Sequence, residues 1–87
     1  MEFIGIIEDI DWQPMVDVVP SILTLTVRLE YQGISISVRV TGPIGFLQHK
    51  FGFVVEGNNY DFTAVVGREC RVQRLPDQSY RFLRYSN

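Results

Sequence analysis

The alternation of apolar and polar positions between residues 21 and 41 predicts a β-hairpin together with its register. Apolar side chains occupy every second position along 23–31 and again along 34–40, the period of a strand with one buried face. Gln32-Gly33 between them suits a two-residue turn, and a slip by one residue would expose one strand's apolar set. The predicted apolar pairs are Tyr31 with Ile34, Leu29 with Ile36, Val27 with Val38 and Leu25 with Val40.

The N-terminal segment is predicted to be a strand followed by a loop. Residues 3–10 carry isoleucines at both parities, which fits a strand that bends and changes the face it buries, with Gly5 as the expected bulge or bend. Residues 12–20 contain two prolines and no regular period, so we expect a loop there, and an unusually apolar one.

The C-terminal half is predicted to hold a short helix and a second hairpin. Apolar residues recur at i, i+3 and i+7 across 44–51, which indicates two helical turns. Residues 68–75 and 79–85 alternate like strands, and the proline that opens 76–79 is well placed for a turn between them.

The segment 51–66 has two interpretations. Asp61 is a good N-cap, and Gly67 is suited to end a short helix over 61–67, which is the interpretation we slightly favour. The alternative is a hairpin that pairs 51–56 with 60–66, because valine and aromatic residues have high β-propensity.

The order of three strands, a short helix and two strands resembles the five-stranded Greek-key barrel of the OB type. It predicts a small all-β barrel, OB-like, over a single domain spanning 1–87, with the short helix between strands 3 and 4. If 51–66 is a hairpin, the alternative is an SH3-like six-stranded barrel. The resemblance concerns element order alone and assigns no functional residues. The predicted core is Leu25, Val27, Leu29, Ile36, Val38, Val40, Val72 and Phe82.

Composition bounds the class of protein. With 46% hydrophobic and 21% charged residues the chain is suited to fold, and it holds no apolar run that could cross a membrane. The N-terminus lacks the basic and apolar blocks of a signal peptide, so we expect a cytoplasmic protein without membrane contact. Cys70 is the only cysteine, which excludes an intramolecular disulfide and a multi-cysteine zinc site.

No strong catalytic motif is present, and we expect the protein not to be an enzyme. Cys70 lies within a predicted strand, where cysteine is usually buried, and His49 is the only histidine that could activate it. Asp9 and Asp11 would project from one strand face about 6–7 Å apart, a spacing that suits Mg²⁺ or Ca²⁺. Because no second acidic cluster supports such a site, we predict no metal, no cofactor and no catalytic residue.

Charge is distributed unevenly within a net charge of −2. Residues 1–33 carry six carboxylates against one arginine, whereas residues 68–87 carry five arginines against two carboxylates. Arginines neutralise phosphates and aromatic rings stack on bases, so the leading hypothesis is a non-catalytic module that binds single-stranded nucleic acid. The negative net charge favours the alternative that these arginines bind no ligand and only keep the exposed hairpin soluble. The predicted contacts are Arg71, Arg74, Tyr80, Arg81, Arg84 and Tyr85.

The competing hypothesis is a protein–protein interaction, inhibitor or assembly subunit, of the kind that a mobile element encodes. Exposed apolar loops often mark partner sites, and an acidic and a basic end could dock head to tail in a homo-oligomer. The loop could equally fold back to complete the core. The predicted partner contacts are Trp12, Met15, Val16 and Val18.

Overall fold

Five antiparallel strands form the sheet on which the fold is built. The computed structural model describes residues 1–15, 22–57 and 59–86. Its elements are β1 (Glu2–Met15), β2 (Ile22–Tyr31), β3 (Ile34–Pro43), α1 (Ile44–Phe51), β4 (Val54–Glu56), β5 (Asn59–Asp61), β6 (Glu69–Arg74) and β7 (Tyr80–Tyr85). The sheet has the order β3-β2-β1-β6-β7 and curls into a half-barrel, which confirms a small all-β barrel with a short helix after the third strand.

The β2–β3 hairpin has the predicted register at every pair. Leu29 lies opposite Ile36 and Val27 opposite Val38. Gln32 and Gly33 both have positive φ, 50° and 79°, as a type I′ turn requires. The turn and the buried face therefore specify one pairing, as the sequence indicates.

Strand β1 is longer than predicted and has two partners. Its first residues pair with β6, and residues 6–15 pair with β2, with a register shift between Ile7 and Asp9. The bulge is thus near Glu8 and not at Gly5, which pairs in regular register with Cys70. Instead, a Cβ on Gly5 would lie 3.4 Å from the Leu29 Cβ, so this glycine allows close packing.

The predicted loop over 12–20 needs correction in its first part. Residues 12–15 continue β1 because they pair with 22–25 of β2, and Pro14 takes part in this pairing. The remainder of that prediction, 16–20, lies outside the described residues.

Helix α1 spans the predicted residues and ends at Gly52. Gly52 has φ 79°, and its N–H donates to the Gln48 carbonyl at 2.8 Å, the left-handed end that glycine favours. Leu47 and Phe51 are fully buried, so the helix contributes one face to the core.

The segment after α1 forms a hairpin, and the predicted helix over 61–67 is wrong. Strands β4 and β5 pair, and Asp61 accepts hydrogen bonds from the N–H (2.9 Å) and hydroxyl (2.5 Å) of Thr63, which start a run of turns instead of a helix. The Gly67 N–H donates to the Ile7 carbonyl and ties these turns to β1. Among the described residues the β4–β5 pair is separate from the five-stranded sheet, so these strands do not form the six-stranded SH3-like alternative.

The second hairpin, β6–β7, is confirmed and contains an irregularity. Val72 lies opposite Phe82 but Arg71 lies opposite Arg84, which leaves Leu83 as an extra residue. The bulge brings Tyr85 back to the inner face, where its ring lies 5.5 Å from that of Phe82.

The predicted core is largely confirmed. Six of its eight residues are buried: Leu25, Val27, Leu29, Val38, Val72 and Phe82. Ile36 and Val40 pack against this core but are only partly buried, because β3 is an edge of the sheet.

Candidate functional site

The arginines of the C-terminal hairpin divide between its outer face and its end. Arg71 and Arg84 are cross-strand neighbours on the outer face, and Arg81 lies beside them opposite Gln73. Arg74 is at the far end of β6, where its guanidinium donates to the Gln78 side chain. Three of the four predicted arginines therefore share one face.

The two predicted tyrosines do not share that face. Tyr80 is half-buried, with its ring 5.9 Å from Phe3 in an edge-on contact. Tyr85 donates its hydroxyl to the Phe51 carbonyl at 2.7 Å, and the Arg68 guanidinium covers its ring at 3.5 Å. Burial raises the pKa of Tyr85 to about 12. Tyr85 thus packs against the core beneath Arg68, both tyrosines are half-buried, and their contact with nucleic acid stays a prediction.

A basic groove runs along the two edges of the sheet. Strands β3 and β7 are its outermost strands in the described chain, and they approach each other as the sheet curls. The groove between them, which we call the basic seam, has a volume of about 370 Å³. Its lining residues are Arg39, Val40, Thr41, Lys50, Leu75, Tyr80, Arg81 and Phe82.

Arg39 and Lys50 were not among the sequence-predicted site residues. Arg39 is on β3, and Lys50 is on α1 with its Nζ 5.6 Å from the centre of the Phe82 ring. The barrel order could have indicated Arg39, because it places the third and last strands side by side, but it gives no position for Lys50 on α1. In the described chain the ion pairs are those of Arg28, so no carboxylate neutralises the seam cations there.

A second, larger cleft of about 760 Å³ lies between β1 and the β5 region, and we call it the acidic cleft. Its lining residues are Asp9, Ile10, Asp11, Trp12, Tyr60, Asp61, Phe62, Thr63 and Val66. The Trp12 and Tyr60 rings meet edge to face at 4.6 Å.

Arg28 partly neutralises one wall of the acidic cleft. It donates to the two carboxylate oxygens of Asp9 at 2.6 and 2.5 Å and lies 3.6 Å from the Asp11 carboxylate. Hydrogen bonding from Arg28 lowers the pKa of Asp9, and the two hydrogen bonds from Thr63 lower the pKa of Asp61. Three carboxylates therefore line the cleft, and the single guanidinium of Arg28 is paired only with Asp9 and Asp11.

The predicted partner residues are only partly covered by the structure. Trp12 lies on β1, is half-buried and lines the acidic cleft, while Met15 ends the same strand. Val16 and Val18 lie outside the described residues. Their role in binding a partner stays a prediction.

Cys70 and His49, the candidate nucleophile and its only candidate base, lie in different surroundings. Cys70 is fully buried, with its thiol 3.7 Å from the Gly5 carbonyl, and burial raises its pKa to about 11. His49 is exposed on α1. Within residues 1–15, 22–57 and 59–86, no group of three or more His, Cys, Asp or Glu side chains could hold a metal ion.

Within residues 1–15, 22–57 and 59–86, no helix is both long and apolar enough to cross a membrane.

Comparison with protein families, with curated proteins and with solved structures gave no match to this chain. The function is therefore inferred from the two clefts.

Proposed function

We propose that this protein is a non-catalytic binding module that holds single-stranded nucleic acid in the basic seam. The observation that carries the proposal is the convergence of Arg39, Lys50 and Arg81 from three different elements on one groove. Cations that have no carboxylate partner within residues 1–15, 22–57 and 59–86 attract phosphates, and each phosphate contact releases counterions from the nucleic acid.

The seam offers a route for the backbone of a strand. Arg81 lines the groove and also neighbours Arg71 and Arg84 on the outer face, so positive charge continues from the seam onto the hairpin. Five cations along this route would contact up to about five phosphates, within the range of about 4–16 nucleotides that such small barrels cover.

Tyr80 is the ring that could stack on a base in the seam. It lines the groove and is half-buried, so the Phe3 contact fixes its orientation while part of the ring stays open. Stacking on an aromatic ring tolerates any base, which favours binding without sequence preference.

Fluorescence anisotropy with a labelled oligothymidine of about ten nucleotides tests the proposal directly. We expect saturable binding at low salt, with log Kd against log salt rising at a slope of up to about 3.5 for five phosphate contacts. No binding up to about 50 µM protein at low salt would refute it.

A matched pair of variants assigns the contact. Arg81→Gln should weaken binding and lower the salt slope by about 0.7, the value for one phosphate contact on a single strand. Arg28→Gln removes the same charge, but that guanidinium is already paired with Asp9 and Asp11. It should therefore leave the slope unchanged, and equal effects of the two variants would place the contact elsewhere.

A further inference from the structure

The acidic cleft has walls of two kinds that meet in one place. Aromatic and aliphatic side chains form its apolar part, with Val66 49% exposed and Trp12 half-buried. The carboxylates of Asp9, Asp11 and Asp61 lie around this surface. A ligand that fills the cleft must therefore present a cation and a flat or apolar surface together.

Asp9 is fully paired with Arg28, whereas Asp11 and Asp61 keep carboxylate surface open to a ligand. Arg28 forms its paired hydrogen bonds with Asp9 and lies at 3.6 Å from Asp11, whose side chain is 69% exposed. Asp61 uses one oxygen, Oδ1, for both bonds from Thr63. Carboxylate surface on Asp11 and Asp61 thus faces solvent beside the rings.

Guanidinium chemistry matches both kinds of wall. A guanidinium is planar, stacks on aromatic faces and donates paired hydrogen bonds to carboxylates, whereas an ammonium is a compact, strongly hydrated charge. The chain itself contains both contacts: Arg28 with Asp9, and the Arg68 guanidinium 3.5 Å from the centre of the Tyr85 ring. Phosphates would be repelled by the three carboxylates, so nucleic acid is excluded from this cleft.

We propose that the acidic cleft is a docking site for an arginine side chain presented by a protein partner. The arginine stem would lie along Val66, its guanidinium would stack on the Trp12–Tyr60 rings, and Asp11 and Asp61 would accept its N–H groups. This site is distinct from the basic seam and does not depend on nucleic-acid binding.

Trp12 makes the proposal measurable, because it is the only tryptophan in the chain and it lines the cleft. The probes are hexa-arginine and hexa-lysine peptides, titrated into the full chain at low salt while tryptophan emission is recorded. We expect saturable quenching by hexa-arginine and binding at least about threefold weaker for hexa-lysine, which lacks the planar group.

Charge-neutralising variants locate the binding. Asp11→Asn and Asp61→Asn should each weaken hexa-arginine about two- to fivefold, the effect of an exposed ion pair, and asparagine at 61 can still accept the Thr63 bonds. Glu2→Gln is the matched control, since it is exposed and at the β6 side of β1. It should change the affinity by less than about 1.5-fold.

Three outcomes would overturn the proposal. The first is no saturable change in emission with hexa-arginine. The second is an equal loss of affinity in Glu2→Gln and Asp11→Asn, which would mean general attraction to a negative chain. The third is a shift in emission that depends on protein concentration alone, which would assign the cleft to a second copy of this chain.

Discussion

Tyr85 connects the last strand to the core through both its ring and its hydroxyl. Its ring packs on Phe82 beneath Arg68, and its hydroxyl donates to the Phe51 carbonyl, so it links β7 to the end of α1. Tyr85→Phe should therefore lower the free energy of unfolding by about 1 kcal/mol, the net value of one hydrogen bond. Urea unfolding at pH 7 measures this difference.

The ionisation of Tyr85 gives a second prediction at the same position. Its pKa in the folded protein is raised from 10.0 to about 12, so the folded state disfavours the tyrosinate. The stabilisation by neutral Tyr85 is complete below pH 10 and is lost as pH rises toward 12. Tyr85→Phe should therefore lose less stability than the wild type between pH 9 and 11 in urea unfolding, and identical losses would show an unperturbed tyrosine.

Cys70 should be unreactive while the protein is folded. It is fully buried and its pKa is raised from 9.0 to about 11, so both access and thiolate are lacking near neutral pH. A thiol reagent such as Ellman's should label no cysteine at pH 8 and one cysteine after unfolding in urea. Rapid labelling of the native protein would contradict its burial.

The alternation of apolar and polar residues predicted most of the core. It could not predict the bulges, after which the inward-facing positions change from odd to even residue numbers or the reverse. Val27 and Val72 are buried as their strands require. Tyr85 faces inward because Leu83 is an extra residue in β7, and no spacing signal in the sequence marks that bulge. Glu8 is likewise an extra residue in β1, and no spacing signal in the sequence marks its position.

At the level of elements, the Gln32-Gly33 turn is the feature whose chemistry is best defined. Gly33 has φ 79°, and a Cβ there would touch nothing within 4 Å, so backbone conformation alone selects glycine. Gly33→Ala should cost about 1–2 kcal/mol of stability, as expected for a left-handed alanine. Thermal or urea unfolding measures this.

Gly45 provides the control for that prediction. It lies in α1, has open space around its Cβ position and does not have positive φ. Gly45→Ala should raise stability, by up to about 1 kcal/mol, because alanine is the better helix former. Stabilisation by both substitutions would show that the turn is not left-handed.

Elements defined by local alternation or by a terminating glycine or proline were predictable from the sequence. Elements that depend on pairing with a distant strand were not. Both long hairpins and α1 follow from patterns within a few residues. Residues 12–15 look like loop because of Pro14, yet β2 pairs with them. The 61–67 segment has a good helix start at Asp61, but its bonds go to Thr63, and Gly67 bonds to β1.

At the scale of the whole molecule, charge is segregated between two clefts. The acidic cleft draws three carboxylates from β1 and β5, and the basic seam draws cations from β3, α1 and β7. The sequence shows the imbalance between its two ends, but Arg39 and Lys50 join the basic side only through the curl of the sheet. Such polarity would orient the proposed nucleic-acid ligand toward the basic side of a protein whose net charge is negative.

An amide NMR titration of the isotopically labelled protein with oligothymidine tests the proposed nucleic-acid site most directly. We expect shift changes to concentrate in residues 39–41, Lys50 and residues 80–82, which line the basic seam, and to diminish as salt is added. Residues 9–12 and 60–63 of the acidic cleft should change little. An unchanged spectrum, or shifts centred on the acidic cleft, would contradict nucleic-acid binding in the seam.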